Sequence, residues 1–433
     1  FSFIVAASLL TGILFGIAPA LHAIRTDVNS GLKESAQTTT HRRKGLAGKS
    51  IVAFQIALSM LLVVVAGLFA RTLANLNAVD PGFQPRNLLL FAIEPPKQRY
   101  PAPKDVALQR QLEEKLSALP GVESLTLSIE PLLANSASNE GFTLDEQPQT
   151  TGKMNIAFTN TVGARFFTTM GIPILYGRSF SPQDTETSAP VAVINQSMAS
   201  KFYPQGNPVG RTISTEDTQH IQIVGVCADA KYSDLRRDIP PTFYTLYQQQ
   251  KQGVGQMTFE LRTNLRPAAL IPALRSTVQS VDRDLPLIDV RTQVEQIEAT
   301  MAQERIFATL TTGFGMLALI LACVGIYGIM AYMVARRIHE FGIRMAVGAQ
   351  SRHVLLMVLR ESGTLAVVGI VTGLAGALLL SRFLKSMLYG LTPVDSVTLV
   401  VSTLLLLIVA LIAGWGPAQR AAAVEPIQAL RHE

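Results

Sequence analysis

Residues 306–335 read IFATLTTGFGMLALILACVGIYGIMAYMVA, and this stretch contains no Asp, Glu, Lys or Arg. A helix needs roughly 20 apolar residues to cross a hydrocarbon core of about 30 Å. A core helix of a soluble protein is the alternative interpretation, but a stretch this long and this apolar does not fit it. The stretch therefore predicts a membrane span.

Four further windows lack these charged residues, at 1–24, 50–70, 362–381 and 396–419. Backbone polar groups in lipid need hydrogen-bond partners within the chain, so we expect each window to be helical. Charged residues make up only 16% of the 433 residues, against about 25% in soluble domains. This composition excludes a disordered chain and disfavours an ordinary cytosolic enzyme. We predict a membrane α-helical bundle with five spans.

The charges outside these windows are unevenly distributed. Residues 72–304 carry 20 Lys and Arg against 24 Asp and Glu, whereas the rest of the chain carries 17 against 7. The basic residues concentrate in segments 22–49 and 336–353 and in the tail after 419. Because Lys and Arg accumulate on the cytoplasmic side of membrane proteins, these three segments are predicted to be cytoplasmic and 72–304 to lie outside. Nucleic-acid binding is not needed to explain the net charge of +6.

The ends of the first and last windows repeat one another at a constant offset. Identical residues at this offset are Gly16 and Gly414, Pro19 and Pro417, Ala20 and Ala418, Ala23 and Ala421, and Leu32 and Leu430. The repeat predicts that the first 35 or so residues close an earlier copy of a module. Residues 50–433 would then form one complete module, preceded by most of another.

These observations give a predicted organisation of the chain. It consists of the last span of a preceding module (1–24), a cytoplasmic linker (25–49), a span (50–71), an extracytoplasmic domain (72–304), a span with a projecting stalk (305–335), a cytoplasmic loop (336–353), two spans (354–384 and 396–419) and a cytoplasmic tail (420–433).

The outer domain has the pattern of an α/β (α+β) domain. Strand-like and helical runs alternate at 88–93, 104–119 and 122–129, and again at 257–262, 267–281 and 287–290. Residues 135–250 between them are rich in strand and turn signals. We predict two β-α-β units with a strand-rich insertion, followed by a helix at 294–305 that runs on into the next span.

Catalytic motifs are not apparent. Gly48-Lys49-Ser50 resembles the end of a phosphate-binding loop, but Arg43 stands where that motif requires glycine. His339-Glu340 lacks the second histidine of a zinc motif. We therefore expect no catalytic, cofactor or metal site in this chain and no enzyme activity, with an anchored hydrolase as the open alternative.

Small residues recur at helix-packing spacing. Gly12 and Gly16 form one such pair and Gly369 and Gly373 another, and such pairs let helices approach closely. We predict that these four glycines pack helices together. The windows themselves hold no acidic residue, which disfavours an ion-coupled carrier.

The basic loop between the third and fourth windows is the most informative short segment. Residues 336–349 read RRIHEFGIRMAVGA. Glu340 and Arg344 are spaced to form an ion pair on one helix face, and Ile343, Met345, Ala346 and Val347 supply a short apolar surface beside them. We predict a short amphipathic helix at the inner membrane face, with an ordinary basic loop as the alternative.

This loop resembles the signature E-[FIM]-G-[IV]-[LR]-[RKM]-A-[LVMI]-G-[AM] of FtsX/MacB-type ABC transporter permeases. The matching residues are Glu340, Gly342, Ile343, Arg344, Ala346, Gly348 and Ala349. Stretches at 166–180, 191–195, 207–210 and 223–226 resemble the family's periplasmic core, and 421–430 resembles its closing sequence.

The resemblance implies a four-span module of the bacterial inner membrane with a MacB-like periplasmic core domain at 72–304. It further implies mechanotransmission, in which a cytoplasmic ABC ATPase moves the periplasmic domain and drives export. The loop 336–353 would be the coupling element, and ATP would bind on the partner subunit. The ATPase-coupling residues carried over are Glu340, Gly342, Ile343, Arg344, Ala346 and Gly348.

The duplication resembles that of orphan permeases, in which the ATPase is a separate protein, and this leaves ATPase recruitment open. Periplasmic adaptor or envelope proteins and membrane lipid are further expected partners, whereas nucleic acid is not. The alternative is a non-transporting transmembrane signalling or scaffold protein that acts on periplasmic partners.

Overall fold

The computed structural model describes residues 37–145, 154–392 and 394–423. The described residues form two compact units. The first, termed the helix unit, contains the residues up to Val65, Gly313–Arg382 and those from Ser396 onward. The second, termed the periplasmic unit, contains Ala66–Thr312 and Phe383–Asp395. The span predicted at 1–24, with Gly12 and Gly16, lies outside the described residues.

The elements, in chain order, are α1 (Gln37–Asn77), β1 (Leu88–Ile93), α2 (Lys104–Ser117), β2 (Val122–Ser128), β3 (Ser138–Leu144), β4 (Asn155–Val162), α3 (Phe166–Met170), β5 (Ile174–Gly177), β6 (Val191–Asn195), α4 (Gln196–Phe202), β7 (Thr212–Thr215), β8 (Ile221–Cys227), β9 (Thr242–Leu246), β10 (Met257–Thr263), α5 (Pro267–Val281), β11 (Ile288–Thr292), α6 (Gln293–Thr300), α7 (Ala302–Arg336), α8 (Ile338–Ala346), α9 (Ser351–Leu384) and α10 (Ser396–Ala422).

In the described part of the chain, the four helices α1, α7, α9 and α10 are long and apolar enough to cross a membrane. Each of these helices extends beyond its charge-free window and includes charged residues outside that window. Helix α1 starts at Gln37, inside the segment predicted as a linker. Within it, the stretch apolar enough to span covers Gly48–Asn77.

The helix expected to run from residue 294 into the span is interrupted, so that expectation is wrong. Helix α6 ends at Thr300 and α7 begins at Ala302. Met301 between them is 4% exposed and belongs to a buried cluster that also contains Leu76 and Phe166. Helix α6 has its own start, a capping box between Thr292 and Glu295. Burial of Met301 and this separate start account for two helices instead of one.

Four strands of the periplasmic unit run antiparallel in the order β11-β1-β10-β2. Strand, helix and strand follow one another as β1-α2-β2 and as β10-α5-β11, close to the predicted bounds. The two groups interleave, because β10 lies between β1 and β2. Leu112 of α2, Leu274 of α5 and Phe259 of β10 belong to one buried cluster, which ties both helices to the sheet.

The insertion forms a ring of strands. Pairing proceeds from β4 through β3, β7, β8, β6 and β9 and returns to β4. All six strands contribute to one buried cluster, which contains Phe142, Ile194, Ile213, Ile223 and Phe243. Ring closure pairs strand edges that would otherwise be open for association with other chains.

Candidate functional site

Helix α8 occupies most of the conspicuous basic loop. Only Arg337 separates it from α7. The helix ends where Gly348 adopts a positive φ of 100°, a conformation that glycine tolerates and that commonly terminates helices. The amide of Ala349 then donates to the carbonyl of Arg344 at 3.0 Å. The segment is thus a defined helix joined tightly to a membrane span.

The two sides of α8 differ in burial. Phe341 is only 2% exposed, and Gly342 beside it is also buried. Ile343 is 44% exposed and Val347 is 84% exposed. One aromatic side chain therefore anchors the segment, while the apolar side chains of Ile343 and Val347 remain exposed.

Five of the six predicted coupling residues are exposed, and the sixth, Gly342, is buried. The Glu340 carboxylate accepts from Nη2 of Arg344 at 2.6 Å, with both side chains close to half-exposed. Ala346 and Gly348 are also exposed. Gly342 is buried, so it contributes to the packing of the segment and not to the surface that the segment exposes. That these residues couple to an ATPase stays a prediction.

Sequence reasoning missed the acidic residue at the centre of the ion pairs. Glu361 of α9 accepts from Nζ of Lys49 at 2.6 Å and lies 3.4 Å from Nη1 of Arg337. It immediately precedes the window 362–381, so a search for charge-free stretches left it at a boundary. Its position as a single acidic residue within a long apolar helix was the available signal.

Helix α9 packs closely against α1 through its glycines. A Cβ at Gly369 would lie 2.6 Å from Cβ of Ile56, and one at Gly373 would lie 2.5 Å from the carbonyl oxygen of Ala57. Gly363 on the same helix has nothing within 4 Å of its Cβ position. Residues larger than glycine at 369 and 373 would therefore push the two helices apart.

No group of three or more His, Cys, Asp or Glu that could hold a metal ion occurs within 37–145, 154–392 and 394–423. The described site consists of the exposed apolar side chains of Ile343 and Val347, the Glu340–Arg344 ion pair and the buried Phe341.

The sequence profile of the MacB-like periplasmic core domain matches residues 50–280, and that of the FtsX-like permease C-terminal region matches residues 312–426. The chain belongs to the family of FtsX/MacB-type permeases. It is therefore an inner-membrane protein of the FtsX/MacB type with a large periplasmic domain, which confirms the predicted sidedness.

Two curated relatives illustrate the similarity of this permease to known proteins. The macrolide export ATP-binding/permease protein MacB of Mannheimia succiniciproducens is 27% identical over 293 residues, covering 64% of this chain and 44% of the relative. The pyoverdine export ATP-binding/permease protein PvdT of Pseudomonas syringae pv. syringae is 28% identical over 274 residues, covering 60% and 40%. The chain thus spans less than half the length of these relatives.

Among solved structures, the crystal structure of the periplasmic region of MacB from Actinobacillus actinomycetemcomitans resembles this permease. It covers 54% of this chain and 98% of the solved one, with 15% sequence identity and a TM-score of 0.36.

Proposed function

We propose that this chain is the permease subunit of an ABC-type exporter. A separate cytoplasmic ATPase binds α8, and ATP hydrolysis on that subunit moves the periplasmic domain by mechanotransmission. The observation that carries the proposal is the exposed apolar pair formed by Ile343 of α8 and Val347, which directly follows α8, beside the Glu340–Arg344 ion pair. Apolar side chains flanked by charged groups are typical of protein interfaces.

Chain connectivity supplies a route for force. Only Arg337 lies between α8 and α7, so a displacement of α8 acts directly on α7. Helix α7 contributes residues from Gly313 onward to the helix unit and its earlier residues to the periplasmic unit. One continuous helix therefore enters both units, as mechanotransmission requires.

The relatives support export as the outcome, because their names describe macrolide and pyoverdine export by ATP-binding/permease proteins. The proposal includes export by this chain and its recruitment of an ATPase. It also includes contacts with periplasmic adaptor or envelope proteins and with membrane lipid. The chemical identity of the exported substrate is left to a transport assay with a panel of candidates.

The test begins with purification of the full-length protein from its own membranes in mild detergent, followed by mass spectrometry. We expect a stoichiometric P-loop ATPase. Val347→Glu places a charge in the apolar patch and should reduce permease-stimulated ATP hydrolysis about tenfold, as loss of a central interface contact does. Val394→Glu is the matched control, since Val394 is 53% exposed in the outer connection between α9 and α10.

Reproducible absence of an ATPase would contradict the proposal and favour the non-transporting signalling or scaffold function. Unchanged hydrolysis in Val347→Glu would show that the ATPase docks elsewhere. Gly342→Glu should also abolish stimulation, but it disrupts a buried position and is therefore the less specific variant.

A further inference from the structure

A chain of ion pairs in the helix unit joins three helices. Glu361 of α9 binds Lys49 of α1 at 2.6 Å through Oε1 and approaches Arg337 at 3.4 Å through Oε2. Arg337 immediately precedes α8 and also lies 3.9 Å from the carboxylate of Glu340. Glu340 in turn binds Arg344 at 2.6 Å. The pairs form one continuous sequence from α1 through α9 to α8.

Glu361 occupies the central place in this sequence. Its side chain is 24% exposed and that of Lys49 is 33% exposed, so the pair is partly shielded from water. Ion pairs in such surroundings are stronger than fully exposed ones, because the effective dielectric constant is lower. Oε1 faces Lys49 of α1 and Oε2 faces Arg337, which directly precedes α8, so both oxygens contribute to the link.

We propose that Glu361 is a positioning residue that fixes α8 to α9 and α1 through Arg337. A displacement of α8 then reaches the other helices of the helix unit by two routes, the chain continuity with α7 and the ion pairs centred on Glu361. The mechanical consequence for ATP hydrolysis rests on the proposed function. The anchoring itself does not, since it concerns only contacts within this chain.

Hydrogen exchange of the full chain in detergent, read by mass spectrometry on peptides covering 337–347, measures the anchoring directly. Glu361→Gln removes the charge and keeps the size, so amides of α8 should exchange about threefold to tenfold faster. Glu361→Asp retains the charge on a shorter side chain and should restore part of the protection.

Arg360→Gln is the matched control. Arg360 is the exposed neighbour of Glu361, and its substitution removes a charge of the opposite sign. It should leave exchange in α8 at the wild-type rate. Exchange at β1, which lies in the periplasmic unit, reports whether each variant is folded. Unchanged exchange in α8 of Glu361→Gln, with β1 protected, would overturn the proposal.

A double-mutant cycle tests the role of Arg337. If Arg337 transmits the anchoring, Arg337→Gln combined with Glu361→Gln should accelerate exchange by less than the product of the two single effects. If the accelerations of exchange by the two substitutions multiply in the double variant, anchoring through Arg337 is refuted.

A last measurement separates this inference from the proposed function. With a partner ATPase, Glu361→Gln should lower stimulated hydrolysis and leave the affinity of the ATPase for the permease unchanged, because Glu361 lies outside the exposed patch. Weakened affinity would assign Glu361 to docking and overturn its positioning role. Failure to find any ATPase would contradict the proposed function and leave the exchange result to decide the inference.

Discussion

The helix unit and the periplasmic unit achieve close packing by opposite means. In the helix unit, Gly369 and Gly373 lie against the backbone and side chains of α1. In the periplasmic unit, large side chains fill the core, and the rings of Phe91 and Phe259 stack with centroids 5.2 Å apart. Water drives apolar side chains together, whereas lipid does not, so membrane helices gain stability from close approach over small residues. The two units should therefore fail under opposite substitutions.

The short connections between the spans show a related difference. The cytoplasmic connection contains α8 and belongs to the helix unit, where ion pairs hold it. The outer connection, residues 383–395, belongs to the periplasmic unit. There Asn75 donates to the carbonyls of Tyr389 and Gly390, and Asp395 pairs with Arg71. Each unit thus includes one of the two connections, and charge pattern alone did not reveal the second attachment.

The largest expected effect is a cavity in the periplasmic unit. Phe259 is fully buried, so Phe259→Ala should lower the free energy of unfolding by about 3–5 kcal/mol through lost burial and an unfilled space. Denaturant titration of the full chain in detergent measures this. Tyr176→Ala is the control, because Tyr176 is 64% exposed and its truncation should change stability by less than about 0.5 kcal/mol. Equal effects would contradict the described core.

The opposite substitution tests the helix unit. Gly373→Leu forces side-chain atoms against the carbonyl of Ala57 and should destabilise the packing of α1 and α9 by about 2–3 kcal/mol. Gly363→Leu adds the same side chain to the same helix where the space is open. Thermal inactivation in nanodiscs should separate the two variants clearly. If both are tolerated, close packing of α9 on α1 at Gly373 is refuted.

The attachment of the outer connection predicts an intermediate effect. Arg236 pairs with Glu304 at 2.6 Å and donates to the carbonyl of Met387 at 3.1 Å. Arg236→Ala leaves a largely buried carboxylate unpaired and should cost about 2 kcal/mol of stability. Arg237→Ala is the control, since the Arg237 side chain is 79% exposed. Hydrogen exchange over residues 383–395 should rise only in the first variant, and identical exchange in both would remove Arg236 from the attachment.

The smallest predicted effect depends on pH. Burial raises the pKa of Glu260 to about 8 from an ordinary value of 4.5, although Ser128 donates to its carboxyl group. Between these values the folded chain retains a proton that the unfolded chain has lost, so the free energy of unfolding should fall as the pH rises.

Glu260→Gln removes this dependence. Its stability relative to wild type should increase by at least about 1 kcal/mol from pH 5 to pH 8, as measured by denaturant titration at both values. Glu298→Gln, whose parent side chain is 48% exposed, should show no such gain. Parallel pH profiles for wild type and Glu260→Gln would show that Glu260 is not protonated in the folded chain.

Much of the candidate site follows from local sequence. The placement of Glu340 and Arg344 on one helix face is a consequence of helical periodicity. The buried anchor Phe341 was less evident, because an isolated aromatic residue in a short segment can face either side. Glu361 and Lys49 are separated by 312 residues, and no local pattern indicates that they meet.

The sequence by itself determined four of the five predicted spans, the sidedness of the periplasmic domain, helix α8 and the strand and helix runs of that domain, since each depends on the burial or charge of residues near one another. Only the tertiary structure decided the interleaving of β10 between β1 and β2, closure of the six-strand ring, the break at Met301 and the placement of Glu361 between Lys49 and Arg337. These features depend on which distant segments pack together. That choice is made by side-chain shape and pairing across the whole fold, which periodicity along the chain does not encode.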